Sequence, residues 1–131
     1  MLAAIAAGDP SGHIVLIGAQ NPAWTRVLTD RWASRFPELP GRVTFLRRLS
    51  HAVFMAHLAH IDVLLDPWPF GSSNTLCEAA SIGAPIVTGP GAFMRSRIVA
   101  GAYRQIGLGS AATWTSRRSG TSTGCSPSAP G

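Results

Sequence analysis

The sequence of 131 residues has no lysine, only 6 acidic residues and only 2 cysteines. Cys77 and Cys125 are too few for a disulfide framework or a cysteine-rich zinc site, which favours a reducing compartment. No apolar run approaches the roughly 18 to 20 residues of a membrane span, and the start lacks the basic region of a signal peptide. We therefore predict a cytoplasmic protein with no membrane partner.

All 11 basic residues are arginines, and they are scattered singly or in pairs. The formal net charge of +5 is compatible with attraction to nucleic acid, anionic lipid or a phosphorylated small molecule. Nucleic-acid grooves combine dense basic clusters with interleaved aromatic residues, and this pattern is missing. The arginine distribution therefore predicts no nucleic-acid partner.

Short hydrophobic runs alternate with helical patterns over most of the chain. Strands are predicted over 13–18, 42–46, 62–65 and 85–88, and helices after Asn21–Pro22, after Ser50, over 74–82 and over about 94–106. Such alternation indicates βαβ units, and nearly continuous apolar strands indicate helices on both faces of a parallel sheet. We predict an α/β, Rossmann-like fold whose ligand lies beyond the carboxyl ends of the strands.

The composition changes sharply near the end of the chain. Residues 110–131 are dominated by Ser, Thr, Gly and Pro and contain no acidic residue. Such a segment cannot bury enough apolar surface to fold, so we predict a disordered tail there. The folded domain is predicted to span residues 1–109.

A proline-rich loop after the third predicted strand brings Gly71 and Ser73 to a helix that starts near Asn74. Helix N-termini bind phosphate oxygens through free N–H groups and the helix dipole. Asn74 and Thr75 can add donors to a diphosphate, and Glu78, one turn later, can accept hydrogen bonds from ribose hydroxyls. The spacing leaves a purely structural alternative open, in which Asn74 caps the helix and Glu78 complements its dipole.

Two segments carry a family resemblance. Residues 62–79 read DVLLDPWPFGSSNTLCEA, and residues 83–98 read GAPIVTGPGAFMRSRI. They resemble the C-terminal catalytic lobe of the O-linked N-acetylglucosamine transferase (SPINDLY-type) family, most closely its bacterial members that carry tetratricopeptide repeats. Residues 42–49 and 103–108 also fit the family's spacing, so the resemblance covers about residues 1–108.

The resemblance implies a GT-B glycosyltransferase fold, with two Rossmann-like lobes and the donor UDP-N-acetylglucosamine held mainly by the C-terminal lobe. The implied acceptor is a Ser or Thr hydroxyl of a protein. Asn74 and Thr75 match positions that bind the UDP diphosphate, and Glu78 matches the acidic position that holds the ribose. Ser73 stands where eukaryotic members often have His. No metal or other cofactor is implied, because helix dipole and donors neutralise the leaving diphosphate.

The resemblance also places a uracil pocket around the loop after the second strand. The backbone of Leu49 and the ring of Phe54 are its candidate contacts in this chain. Phe54 can equally serve core packing, and both interpretations stay open.

The chain departs from the family in three ways. It lacks the lysine that stabilises the departing phosphates, it contains no N-terminal lobe, and the family pattern stops after Leu108. We therefore predict a fragment, frameshifted near Gly109, with no catalytic residue of its own. The intact enzyme would transfer N-acetylglucosamine to protein Ser/Thr, and the alternative is a non-catalytic nucleotide-binding or protein-interaction remnant.

The remaining candidate residues carry weaker patterns. His57 and His60 share a helix face but lack a third metal ligand at a sensible spacing. Cys77 is predicted to be packed in its helix. Trp24, Trp32 and Trp68 are predicted to be core or loop anchors.

Overall fold

A computed structural model describes residues 1–108, which form part of two compact units, one up to Phe54 and one from Met55 onward. The first unit contains α1 (Leu2–Gly8), β1 (Ile14–Ile17), α2 (Pro22–Arg35), a 3-10 turn (Pro40–Arg42) and β2 (Val43–Leu46), and α3 (His51–Leu58) begins in it. The second contains β3 (Leu64–Leu65), α4 (Asn74–Ser81), β4 (Ile86–Val87), a second 3-10 turn (Met94–Arg97) and α5 (Ile98–Gln105).

The strands pair in parallel, as predicted. In the first unit β1 lies beside β2, with Ile14 opposite Val43. In the second unit β3 lies beside β4, with Leu64 opposite Ile86. Parallel strand pairs with connecting helices form an α/β structure of the Rossmann-like type, consistent with part of a GT-B glycosyltransferase fold. The prediction of the fold class is therefore confirmed.

The core of the first unit lies on one face of β1. It is built around Ala6, Ile14 and Leu39, against which Leu2, Ala3, Leu16, Trp32 and Val43 pack. Val15 and Ile17 point to the opposite face and are each 48% exposed. The expectation that helices cover both faces is therefore wrong for β1, because successive side chains alternate and α1 meets only one face.

Helix α2 begins as predicted. Asn21 is its N-cap, and the side-chain oxygen accepts the backbone N–H of Ala23 at 3.0 Å, with Pro22 at the first helical position. Trp32 stacks on Phe45 with ring centroids 5.9 Å apart. Trp24 is 65% exposed and Trp68 is 62% exposed, so the expected anchoring role is wrong for both. The helix contacts the core through Trp32. Trp24 lies eight residues earlier, about 12 Å away along the helix axis.

A turn at Asp9 follows α1. Its carboxylate oxygen Oδ1 accepts the Ser11 hydroxyl at 2.9 Å, the Ser11 N–H at 3.1 Å and the Gly12 N–H at 3.0 Å. The Ser11 hydroxyl hydrogen bond, followed by the two backbone hydrogen bonds, lowers the pKa of Asp9. These interactions favour the charged carboxylate in the folded chain.

This turn gives a pH-dependent prediction. Because the folded pKa of Asp9 lies below its unfolded pKa, the stability it contributes is present above the unfolded pKa and is lost as the pH falls through the folded pKa. An NMR titration of the Asp9 carboxyl carbon should give a midpoint below the ordinary aspartate value. Ser11→Ala should move that midpoint upward, and an unchanged midpoint would contradict the assignment.

In the second unit, Tyr103 joins α5 to β4. Its hydroxyl accepts the backbone N–H of Ile86 at 2.8 Å and donates to the Ile86 carbonyl at 2.9 Å. The ring is buried, as are Val99 and Ala100 on the same helix. One side chain therefore satisfies both backbone groups of a strand residue that faces α5.

Tyr103→Phe should lower the free energy of unfolding by about 1 to 3 kcal/mol. The ring still fills its space, but a buried N–H and carbonyl lose their partner. Urea denaturation followed by circular dichroism measures the loss. A variant as stable as the wild type would show that water replaces the hydroxyl at no cost.

Other predictions stand as follows. The residues of the predicted disordered tail, 110–131, lie outside the described part of the chain. The same holds for the predicted frameshift near Gly109 and for Cys125. Among the helices of residues 1–108, none is long and apolar enough to cross a membrane.

Candidate functional site

The candidate site is built where β3 ends. Asp66 follows the strand, and residues 67–73 form a loop, here called the 67–73 loop, that leads into α4. The carboxylate of Asp66 is buried, and its Oδ1 accepts the backbone N–H of Ser72. Its Oδ2 accepts the hydroxyl of Thr88, just after β4, at 2.6 Å. One carboxylate thus ties the far end of the loop to two neighbouring strand ends.

Gly71 lets this loop pass close to the chain around Arg95. Its φ of +70° lies in the left-handed region that favours glycine, and its N–H donates to the Pro67 carbonyl at 2.6 Å. A Cβ at this position would collide with the backbone carbonyl of Arg95 and crowd the Cα of Ser96. Glycine is therefore required at position 71 for the loop to contact the segment around Arg95.

The segment after β4 supports the loop from its other side. The Arg95 guanidinium lies over the Phe70 ring, 4.4 Å from its centroid, in a cation–π contact. The hydroxyl of the buried Ser96 accepts the Gly91 N–H at 3.1 Å and donates to the Phe93 carbonyl at 2.8 Å. The loop and the 91–97 segment are therefore held as one layer at the carboxyl ends of β3 and β4.

Helix α4 begins at Asn74, and Ser73 is its N-cap without a side-chain cap hydrogen bond. The structural alternative in which Asn74 caps the helix is therefore wrong, because Asn74 is the first helical residue. The N–H groups of Ser72 and Leu76 donate to Asp66 and to the Ser73 carbonyl. The N–H groups of Asn74 and Thr75 belong to the first turn, where no preceding helical carbonyl can accept them.

The side chains on α4 divide into a buried and an outer set. Leu76 and Ala79 are buried, Thr75 and Glu78 are half-buried, and Asn74 is exposed. Asn74 and Glu78 are four residues apart and therefore share a helix face. Cys77 is exposed, so the prediction that it is packed is wrong. It lies about 100° around the helix from Leu76 and off the buried stripe.

The structure thus brings five of the seven predicted site residues onto one loop and one helix. These are Gly71, Ser73, Asn74, Thr75 and Glu78. The other two, Leu49 and Phe54, lie in the first unit and are both half-buried. Leu49 precedes α3 and Phe54 is within it, and the Phe54 N–H donates to the Ser50 carbonyl at 2.9 Å. Their role in a uracil pocket stays a prediction.

Asp66 and Thr88 are the residues that the sequence reasoning missed. The sequence predicts only a loop at Asp66 and a strand at Thr88, yet both side chains are buried and are hydrogen-bonded to each other. An acidic residue directly after an apolar strand run is the signal that could have found Asp66. Nothing local signals Thr88, since the two residues meet only once β3 and β4 pair.

Metal ligands do not gather in the described part of the chain. Within residues 1–108 no group of three or more His, Cys, Asp or Glu side chains could hold a metal ion. His60 lies just after the end of α3, and its ring nitrogen Nδ1 is 2.7 Å from the carbonyl of Ala56 in that helix. The polar groups of the candidate site are backbone N–H groups, hydroxyls, an amide and carboxylates.

Comparison with known proteins supports the predicted resemblance. No protein-family model and no curated protein sequence matches the chain. Among solved structures it is similar to a mutant of the O-GlcNAc transferase of Thermobaculum terrenum, with a TM-score of 0.74 and 29% sequence identity. The match covers 85% of this chain but only 21% of that protein. This chain therefore corresponds to about a fifth of its structural neighbour's length and has a glycosyltransferase-like fold.

Proposed function

We propose that this chain is the nucleotide-sugar-binding portion of a glycosyltransferase and that the 67–73 loop and the start of α4 bind the diphosphate of UDP-N-acetylglucosamine. The observation that carries the proposal is structural similarity to an O-GlcNAc transferase over 85% of the chain. A loop that enters a helix N-terminus beyond the carboxyl ends of parallel strands supports the same assignment. Ligands of open α/β sheets bind at this edge.

The chemistry of the site fits a diphosphate. The first-turn N–H groups of Asn74 and Thr75 and the dipole of α4 favour negative charge. The Asn74 amide and the Thr75 hydroxyl add side-chain donors. The carboxylate of Glu78, one turn along the same helix, is an acceptor for ribose hydroxyls. Donors fixed before the reaction stabilise the diphosphate as it leaves the sugar.

In the larger enzyme, we propose, the sugar passes to a Ser or Thr hydroxyl of a protein. The chain itself contains no lysine, so no lysine of this chain contacts the leaving diphosphate. The groups named above bind and orient the donor. The residue that activates the acceptor hydroxyl is not assigned to this chain.

The double variant Asn74→Ala/Thr75→Ala tests the site. It should weaken UDP binding to the full 131-residue chain by a few kcal/mol at most, since each lost donor costs about 1 to 3 kcal/mol. Isothermal titration calorimetry with UDP measures the change. Uridine affinity should change little, because uridine has no phosphate to lose contacts.

Gln105→Ala is the matched control. Gln105 is an exposed polar residue on α5, away from the 67–73 loop in sequence and on another element. It should leave UDP affinity unchanged. If the double variant binds UDP as tightly as this control does, the side chains of Asn74 and Thr75 do not hold the diphosphate.

A further inference from the structure

We infer that Asp66 is a positioning residue for the nucleotide site, acting through Ser72 and Thr88. The inference rests on the proposed function, because it concerns how the loop that binds the diphosphate is held. Asp66 does not contact the ligand in this account. It sets the position of the backbone from which α4 begins.

The buried carboxylate has a specific geometry. Asp66 is 5% exposed and Thr88 is fully buried, so water does not readily replace either partner. Oδ2 accepts the Thr88 hydroxyl at 2.6 Å, and Oδ1 accepts the N–H of Ser72, which is one residue before the N-cap of α4. Hydrogen bonds to a charged acceptor are about twice as strong as neutral ones. The pair therefore fixes the chain two residues before Asn74.

Asp66 is itself held in place. Its N–H donates to the Val87 carbonyl at 2.9 Å, so the residue is part of the β3–β4 ladder. Thr88 directly follows β4. The carboxylate thus fixes the position of the start of α4 relative to the β3–β4 pair. Small displacements of donors cost affinity when a ligand requires defined geometry.

The oxygens of the buried Asp66 carboxylate need hydrogen-bond donors, because a buried polar atom without a partner is unfavourable. Here one oxygen accepts Ser72 N–H and the other accepts Thr88 O–H. Removing the Thr88 hydroxyl therefore has two consequences: the loop loses an anchor, and one carboxylate oxygen loses its donor. Both displace the first-turn donors of α4, which in the proposed function contact the diphosphate, so UDP binding should weaken more than uridine binding.

The experiment compares Thr88→Val with Thr88→Ser in the full chain. Valine removes only the hydroxyl at nearly constant volume, and serine retains it. Calorimetric titrations with UDP and with uridine give the ratio of the two affinities, measured where denaturation curves show each variant folded. We expect Thr88→Val to lower the UDP preference about tenfold, as expected for loss of one charge-assisted hydrogen bond, and Thr88→Ser to keep most of it.

Tyr103→Phe separates positioning from general stability. The substitution removes a buried hydroxyl on α5 that is hydrogen-bonded to Ile86 of β4. It leaves the 67–73 loop unchanged, so it should lower stability and retain the UDP preference. Asp66→Ala should lose the preference if it folds, and Thr88→Val supplies the test if it does not.

Three results would overturn the inference. Thr88→Val could keep the wild-type UDP preference, Thr88→Ser could lose as much of it as Thr88→Val, or Tyr103→Phe could lose it equally. In each case the hydroxyl-to-carboxylate bond would not position the site. A wild-type chain that binds UDP no better than uridine would instead refute the proposed function, and the inference with it.

Discussion

Gly71→Ala is expected to lower the free energy of unfolding by about 2 to 5 kcal/mol. Part of the loss, about 1 to 2 kcal/mol, is the cost of placing an L-residue at a φ of +70°. The rest comes from collision of the new methyl with the Arg95 carbonyl carbon and oxygen and with the Ser96 Cα. Overpacking typically costs about 1 to 3 kcal/mol, and backbone atoms cannot move aside as a flexible side chain can.

Gly83→Ala provides a matched control in the same unit. Gly83 follows α4 with a φ of +72°, but a Cβ there would have no atom within 4 Å. The two substitutions therefore share the conformational cost and differ in the collision. Urea denaturation should show Gly83→Ala losing only about 1 to 2 kcal/mol. Equal losses in the two variants would show that the 67–73 loop does not press against Arg95.

Arg42→Ala should lower the free energy of unfolding of the first unit by about 2 to 3 kcal/mol. The Arg42 guanidinium donates to the carbonyls of Ala6, Asp9 and Gly12. These hydrogen bonds tie the end of α1 and the following turn to the residue that precedes β2. Hydrogen bonds to a charged group contribute about 1.5 to 3 kcal/mol each, but partial exposure of this guanidinium reduces their sum.

Amide hydrogen exchange can locate the Arg42 effect. The Arg42→Ala variant should lose protection in α1 and β1 while the amides of β3 and β4 keep theirs. Arg42→Lys is the informative comparison, because it retains the charge but cannot reach three carbonyls with a planar fork. If Arg42→Lys is as stable as the wild type, charge rather than the multiple hydrogen bonds holds α1.

The order of the elements could be predicted because it depends on local patterns. The Asn21–Pro22 cap and the apolar run at β1 both lie where the sequence places them. Helix α1 is not among the predicted elements, although its buried Ala6 and half-buried Leu2 and Ala3 recur at helical spacing. Because most of the side chains in this helix are small alanines, its amphipathic pattern is weak.

The limits of prediction at the site have a different cause. The loop, its glycine and the helix start depend on neighbours in sequence, and the positive φ of Gly71 agrees with a turn residue. The Asp66–Thr88 bond joins residues 22 positions apart, and the collision partner of Gly71 is Arg95. Such contacts follow from which strands pair. A single sequence predicts the strands, but it does not predict which side chains meet between them.

The central claim is that the amides at the start of α4 bind the diphosphate of a uridine nucleotide. It is tested most directly by NMR titration of the ¹⁵N-labelled 131-residue chain with UDP and, separately, with uridine. The account predicts that UDP shifts the amide signals of Ser73, Asn74 and Thr75 and that uridine at equal concentration leaves them nearly unchanged. UDP binding that leaves these three amides unshifted, or no saturable UDP binding, would contradict it.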